Sequence, residues 1–209
     1  MNEYKSFGKK TLLFVLSIIL ISATTKTGNP ENKEQTIDVG NYMFLAPPGD
    51  NWKVEIEKEK GSVSFSKQPR GFFGGKLPLT TIHVRENRVL QEKWNLSEEE
   101  TANDVREREK IGMFMKGGLS GDYFLTDSKN DTITIDGKKI YIMSYKNSGG
   151  KLFGKDKILE AILHLYFPPD FKEKQIFYMV IIAEIHEIGK TKETDFTLVY
   201  PVINSLRSK

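Results

Sequence analysis

Three histidines, His83, His164 and His186, and no cysteine set the limits of the chemistry open to this 209-residue chain. Without cysteine there are no disulfides, no thiol nucleophile, no thiolate metal site and no acceptor for a lipid at an N-terminal cleavage point. His186-Glu187 opens like a zinc-protease helix, but Lys190 stands four residues on, where the second histidine ligand belongs. Asp127-Ser-Lys-Asn-Asp-Thr132 fails as a calcium loop, because Lys129 takes a ligand position and Thr132 replaces the required glycine. Gly118-Leu-Ser-Gly121 brings its second glycine one residue too early for a nucleophile elbow. The run from Gly71 to Leu77 has neither the spacing nor the Ser/Thr of a phosphate loop.

Two constellations survive this filter. Glu160 and His164 share one face of a strand, and Glu184 and His186 share one face of the next, because side chains alternate along a strand. If the pairing register brings the two faces together, the four residues make a nitrogen and oxygen cluster of the kind that binds zinc. The alternative is carboxylates at strand ends and a hydrogen-bonded, half-buried His164. No cofactor or metal is assigned on this pattern. A hydrolase using His164 or His186 lacks a nucleophile with an oriented base.

The second constellation is a pair of loops of similar composition, Arg70, Phe72, Phe73 and Lys76 in one and Lys151, Phe153 and Lys155 in the other. Aromatic rings beside cations on a glycine-rich backbone are partner-binding candidates, and they also suit a peripheral membrane surface. The competing expectation is that the phenylalanines tuck against the sheet while the lysines reach to water.

The elements that position these residues follow from composition and pattern. With 38% hydrophobic and 28% charged residues, the chain reads as one globular domain. Its net charge is only +3, and most of that excess lies in the first ten residues, so a nucleic-acid partner is not expected. Lys5, Lys9 and Lys10 precede an uncharged apolar run from Thr11 to Ile21 and then Ser22-Ala23-Thr24, the layout of a secretory signal peptide over residues 1–23. Cleavage after Ala23 is expected, with an uncleaved N-terminal anchor as the alternative. Either way the domain is exported, to the periplasm or the cell exterior. Residues 24–37 hold few apolar side chains and are expected to be a flexible tether to a domain over 38–209.

Within that domain Asn41 to Ala46 predicts a strand, Trp52 to Glu57 and Ser62 to Ser66 a hairpin, and Leu79 to Arg85 another strand. Ser97 and Glu100 form a capping box for a charged helix to about Lys116, ended by Gly117-Gly118. Strands at Tyr123 to Thr126 and Thr132 to Ile135 flank an Asp127 to Asp131 loop, and Asp136-Gly137 predicts a hairpin turn. A second glycine-lysine loop is expected from Asn147 to Asp156. Ile158 to Phe167 and Gln175 to Ile185 are apolar on both faces and belong at the centre of a sheet covered on both sides, with Leu163, Leu165, Met179, Ile181 and Ile182 buried. A closing helix is expected over Glu193 to Arg207, with Pro201 kinking it or delaying its start.

Tyr42-Met-Phe-Leu-Ala-Pro-Pro-Gly-Asp-Asn-Trp52, the Thr132 to Ser144 hairpin and the Phe196 to Leu206 helix together resemble the PsbP-like superfamily, which includes Mog-type Ran-binding proteins and bacterial DcrB-like envelope proteins. The likeness spans residues 38–208. It implies an α+β fold, an antiparallel β-sheet of six to eight strands covered by helices on both faces, and a protein built to bind or stabilise a partner and seldom to catalyse. No residue of this chain matches the calcium and chloride role of the photosystem members. The expected function is a non-catalytic accessory module docking on an envelope protein, with a small-ligand carrier, its pocket between sheet and helix, as the alternative.

Overall fold

A computed structural model of the chain describes residues 35–67, 70–71, 74–75, 79–120, 124–152, 155–187 and 195–209. The expected signal segment and most of the tether lie outside the described residues. In chain order the strands are β1 (Thr36–Asp38), β2 (Tyr42–Leu45), β3 (Lys53–Glu57), β4 (Ser62–Lys67), β5 (Arg70–Gly71), β6 (Gly74–Gly75), β7 (Leu79–Arg88), β8 (Phe124–Ile135), β9 (Lys138–Leu152), β10 (Lys155–Tyr166), β11 (Ile176–Glu187) and β12 (Arg207–Ser208). The helices are α1 (Glu98–Ser120), α2 (Phe171–Lys174) and α3 (Tyr200–Ser205). Seven strands form one antiparallel sheet in the order β3-β4-β7-β11-β10-β9-β8, and β1-β2-β12 form a separate three-stranded sheet.

The turns that direct this chain are local. Asp136 and Gly137 both adopt positive φ, 45° and 78°, as a two-residue type I′ turn between β8 and β9 requires. At the start of α1 the Ser97 amide donates to Glu100 at 2.8 Å and the Glu100 amide donates to the Ser97 hydroxyl at 3.2 Å, the reciprocal capping box.

The sheet is covered on both faces. Val63, Phe65, Ile82, Val84, Val180 and Ile182 face the three-stranded sheet and α3. Met143, Leu163, Leu165, Phe177, Met179 and Ile181 face the other way, towards Ala102 and Val105 of α1 and Phe171 of α2. The central strands are β10 and β11, as their apolar patterns require, and none of Leu163, Leu165, Met179, Ile181 and Ile182 is more than 9% exposed.

Several expectations change in detail. Strand β1 begins at Thr36, inside the segment expected as a tether, because Ile37 is buried against the core. Asp127 to Asp131 is strand, not loop: β8 is the outer strand, pairs with β9 throughout, and is interrupted only by a register shift between Leu125 and Asp127. An outer strand tolerates this polar run because its free side faces water. Backbone pairing also carries β9 through to Leu152, so the expected Asn147 to Asp156 loop shortens to a turn between Leu152 and Lys155. Helix α1 continues through Gly117 and Gly118 to Ser120, since a glycine inside a helix costs only about 1 kcal/mol and does not by itself end it. Pro201 delays the last helix: a 3-10 turn over Phe196–Val199 precedes α3, and the proline sits in its first turn, where it has no hydrogen bond to lose. Among the described residues no helix is long and apolar enough to cross a membrane.

Candidate functional site

The parity argument for the β10 and β11 side chains resolves into a specific register. Glu160 stands directly opposite Glu184, Glu184 opposite Thr80 of β7, and Glu160 opposite Lys146 of β9, so four polar residues line up across four strands on the face that also packs α3. Lys146 Nζ lies 2.8 Å from Glu160, and the Thr80 hydroxyl donates to Glu184 at 3.3 Å. His186 sits one position along the same face of β11, between the two carboxylates, with Nδ1 3.7 Å from Glu184 and Nε2 4.0 Å from Glu160. Glu184 and His186 are buried, whereas the Glu160 and Lys146 side chains are 30% and 45% exposed and meet solvent.

His164 is not part of this group. It lies four residues further along β10, about 13 Å at strand rise, and its Nδ1 contacts the Val180 carbonyl at 3.3 Å. Burial holds its imidazole down at about 4, so it is a neutral, hydrogen-bonded core residue. Among the described residues no group of three or more histidine, aspartate or glutamate side chains is arranged to hold a metal ion. The reason is visible at His186: its two ring nitrogens point to different carboxylates, so Glu160 and Glu184 cannot meet one nitrogen at a common centre.

The polar row lies close to one end of the sheet. Strand β4 leaves the sheet there at Lys67, β7 enters it at Leu79, and β11 ends there at Glu187 opposite Lys157 of β10. The β5-β6 hairpin and the β9-β10 turn therefore both depart from this end, on strands separated by β11 alone, roughly 10 Å apart. Of the partner-binding candidates, Arg70, Lys151 and Lys155 have a described backbone in these hairpins. Phe72, Phe73, Lys76 and Phe153 lie outside the described residues.

A second polar group went unread in the sequence. On the face of the sheet that also packs α1, Ser62 and Ser64 of β4 stand opposite Arg85 and His83 of β7, and the Ser64 hydroxyl is 3.1 Å from His83 Nδ1. Burial, with help from the Arg85 charge, pulls His83 down to about 3, so its ring is neutral. The signal was present as Ser62-Val-Ser-Phe-Ser66, a strand whose polar positions alternate with buried apolar ones, against His83 and Arg85 with the same alternation.

No protein-family model matches the sequence, and no curated protein matches it. Among solved structures the chain is similar to cyanobacterial PsbP (CyanoP) from Synechocystis sp. PCC 6803, at 17% identity and a TM-score of 0.42, over 90% of this chain and 99% of that one. It is also similar to the Ran-binding protein Mog1p of Saccharomyces cerevisiae, at 13% identity and a TM-score of 0.40, over 85% of this chain and 95% of that one.

Proposed function

We propose that this chain is an exported, non-catalytic binding module that docks a protein partner of the cell envelope through the hairpin end of its seven-stranded sheet. The observation that carries this reading is topological: two glycine-rich hairpins of the same aromatic and basic composition leave the sheet at one end, with the Thr80, Glu184, Glu160, Lys146 row beside them. Aromatic and arginine side chains are enriched among the residues that carry most of the energy of a protein interface. Glu160, half-buried and already paired with Lys146, adds a carboxylate whose second oxygen can accept from a basic side chain of a partner. Export rests on the Lys5 to Thr24 pattern, and the mature N-terminus is expected at Thr24 or within a few residues of it.

The test is capture from envelope extracts by the immobilised mature chain, compared with a variant carrying Phe72→Ser, Phe73→Ser and Phe153→Ser. Loss of a specific captured protein with an unchanged melting temperature is the expected result. Unchanged capture removes the hairpins from the function. Lost capture together with a large drop in melting temperature means that the rings belong to the core. Binding of the wild type to anionic lipid vesicles, lost in the same variant, would replace the protein partner by a membrane surface.

A further inference from the structure

We propose that the outer edge of β3 is a strand-addition site for an extended segment of a partner protein, one in which a lysine or arginine stands between two apolar residues. The site uses none of the hairpin residues and does not depend on the reading above.

Three observations carry it. First, the backbone of β3 is open on one side. It is an end strand of the seven-stranded sheet and, among the described residues, pairs only with β4. Alternate residues of an edge strand turn their N–H and C=O groups away from the sheet. From Val54 to Glu57 these outer groups meet no partner among the described residues. An extended peptide lying alongside satisfies them as a further strand.

Second, one face of β3 is an apolar seat left in contact with water. Val54 and Ile56 stand opposite Phe65 and Val63 of β4, which are fully buried, yet they are themselves 40% and 42% exposed. The three-stranded sheet covers the β4 column, its Phe44 ring meeting Phe65 edge-on at 6.1 Å, and leaves the β3 column open. Two apolar side chains of an added strand would continue this layer beside Val54 and Ile56, and cross-strand apolar pairs stabilise strand pairing. The β8 edge has no such seat, because its side chains from Asp127 to Thr132 are polar on both faces.

Third, the other face fixes the charge of the partner. Glu55 is exposed and enters no hydrogen bond or ion pair among the described residues. Its register partner on β4 is Ser64, whose hydroxyl is engaged with His83. Glu57 is already paired with Lys60 at 2.6 Å, so Glu55 is the carboxylate of β3 left for an incoming cation. A second copy of this chain is a poor occupant: antiparallel pairing of β3 with itself about its middle residue sets Glu55 opposite Glu55, and like charges directly opposite destabilise a sheet. A residue opposite Glu55 shares its face, and the residues on either side fall opposite Val54 and Ile56. The matching segment therefore reads apolar, basic, apolar.

The experiment is a titration of the isotopically labelled mature chain with the peptide acetyl-Ser-Thr-Val-Lys-Val-Thr-Ser-amide, followed by amide chemical shifts, with the same peptide carrying glutamate in place of lysine as control. The lysine peptide is expected to shift the amides of residues 53–57 and to slow hydrogen exchange at the outward-facing ones, and the glutamate peptide to bind several-fold more weakly. Glu55→Lys is expected to reverse that preference with little change in melting temperature, because the side chain it replaces is exposed. Val54→Ser with Ile56→Ser should weaken both peptides; if that double variant does not fold, the charge reversal carries the test by itself. The Phe72, Phe73, Phe153 triple-serine variant should bind the lysine peptide like the wild type, whatever becomes of the hairpin reading. Shifts centred away from β3, equal binding of the two peptides, a preference unchanged by Glu55→Lys, or no shift up to millimolar peptide would each overturn the proposal. Self-association of the wild type through the same amides would overturn it too, by giving the edge to a second copy.

Discussion

Burial decides the behaviour of single residues in this protein more often than their chemical type does. His83 and His164 titrate near 6.5 in an unfolded chain but at about 3 and about 4 in the folded one, both because burial disfavours the charged ring. As pH falls below 6.5 the unfolded state takes up protons that the folded state refuses. Stability present above that pH is therefore lost progressively down to the folded values, by up to about 1.4 kcal/mol per pH unit for each ring. Urea denaturation is expected to show a falling midpoint from pH 7 to pH 4.5, and His164→Leu, which cannot take a proton in either state, should flatten the dependence. An unaltered slope in that variant would show that His164 is not the group responsible. What could be read of these residues in the sequence was their face, not their depth. Alternation put Glu160, Glu184 and His186 on matching faces, and the register confirmed it. It did not give the β10-β11 register, which sets Glu160 opposite Glu184 and His164 opposite Val180. Ser62 and Arg85 were legible only as polar positions, since their meeting depends on the β4-β7 register.

At the scale of elements, α1 is tied to the sheet by one arginine as well as by its apolar stripe. Arg106 is buried, donates to the carbonyls of Asp131 on β8 and Ile142 on β9, the latter at 2.8 Å, and lies 5.6 Å over the Tyr141 ring. Hydrogen bonds from a charged donor contribute about 1.5 to 3 kcal/mol, so Arg106→Ala is expected to cost about 2 to 4 kcal/mol and to speed amide exchange in the first half of the helix. A variant with unchanged stability and exchange would mean that Ala102 and Val105 suffice. The central strands behave differently: Ile181→Ala is expected to cost about 2 to 5 kcal/mol, because β11 is buried on both faces around it. A parental melting temperature would displace β11 from the centre. Long elements with strong patterns, β10, β11 and the capped start of α1, were legible from the chain alone. The three-stranded sheet was not, because strands of three, four and two residues are too short to show a period.

For the molecule as a whole the sheet's two open edges are the exposed risk, and both carry charges. Asp127, Lys129 and Asp131 are exposed on β8, while Lys53, Glu55 and Glu57 alternate on β3 with Val54 and Ile56, which are 40% and 42% exposed. Such charges discourage edge-to-edge pairing between copies. Glu55→Ile puts three consecutive apolar residues in the middle of β3 and is expected to shift the protein to dimers and larger species in size-exclusion chromatography; a monomeric variant would show that another feature guards this edge. The small sheet has a different consequence, one of timing. Its strand β12 pairs with β2 through Arg207 and Ser208, the Lys209 amide donates to the Asn41 carbonyl at 3.0 Å, and the Lys209 side chain grips Asp38 at 2.7 Å. Lys209 thus latches Asp38, 171 positions earlier in the chain. Contacts between such distant positions form late in folding, because the long loop between them must close first, so β12 is expected to join β2 after the strands of the seven-stranded sheet have paired.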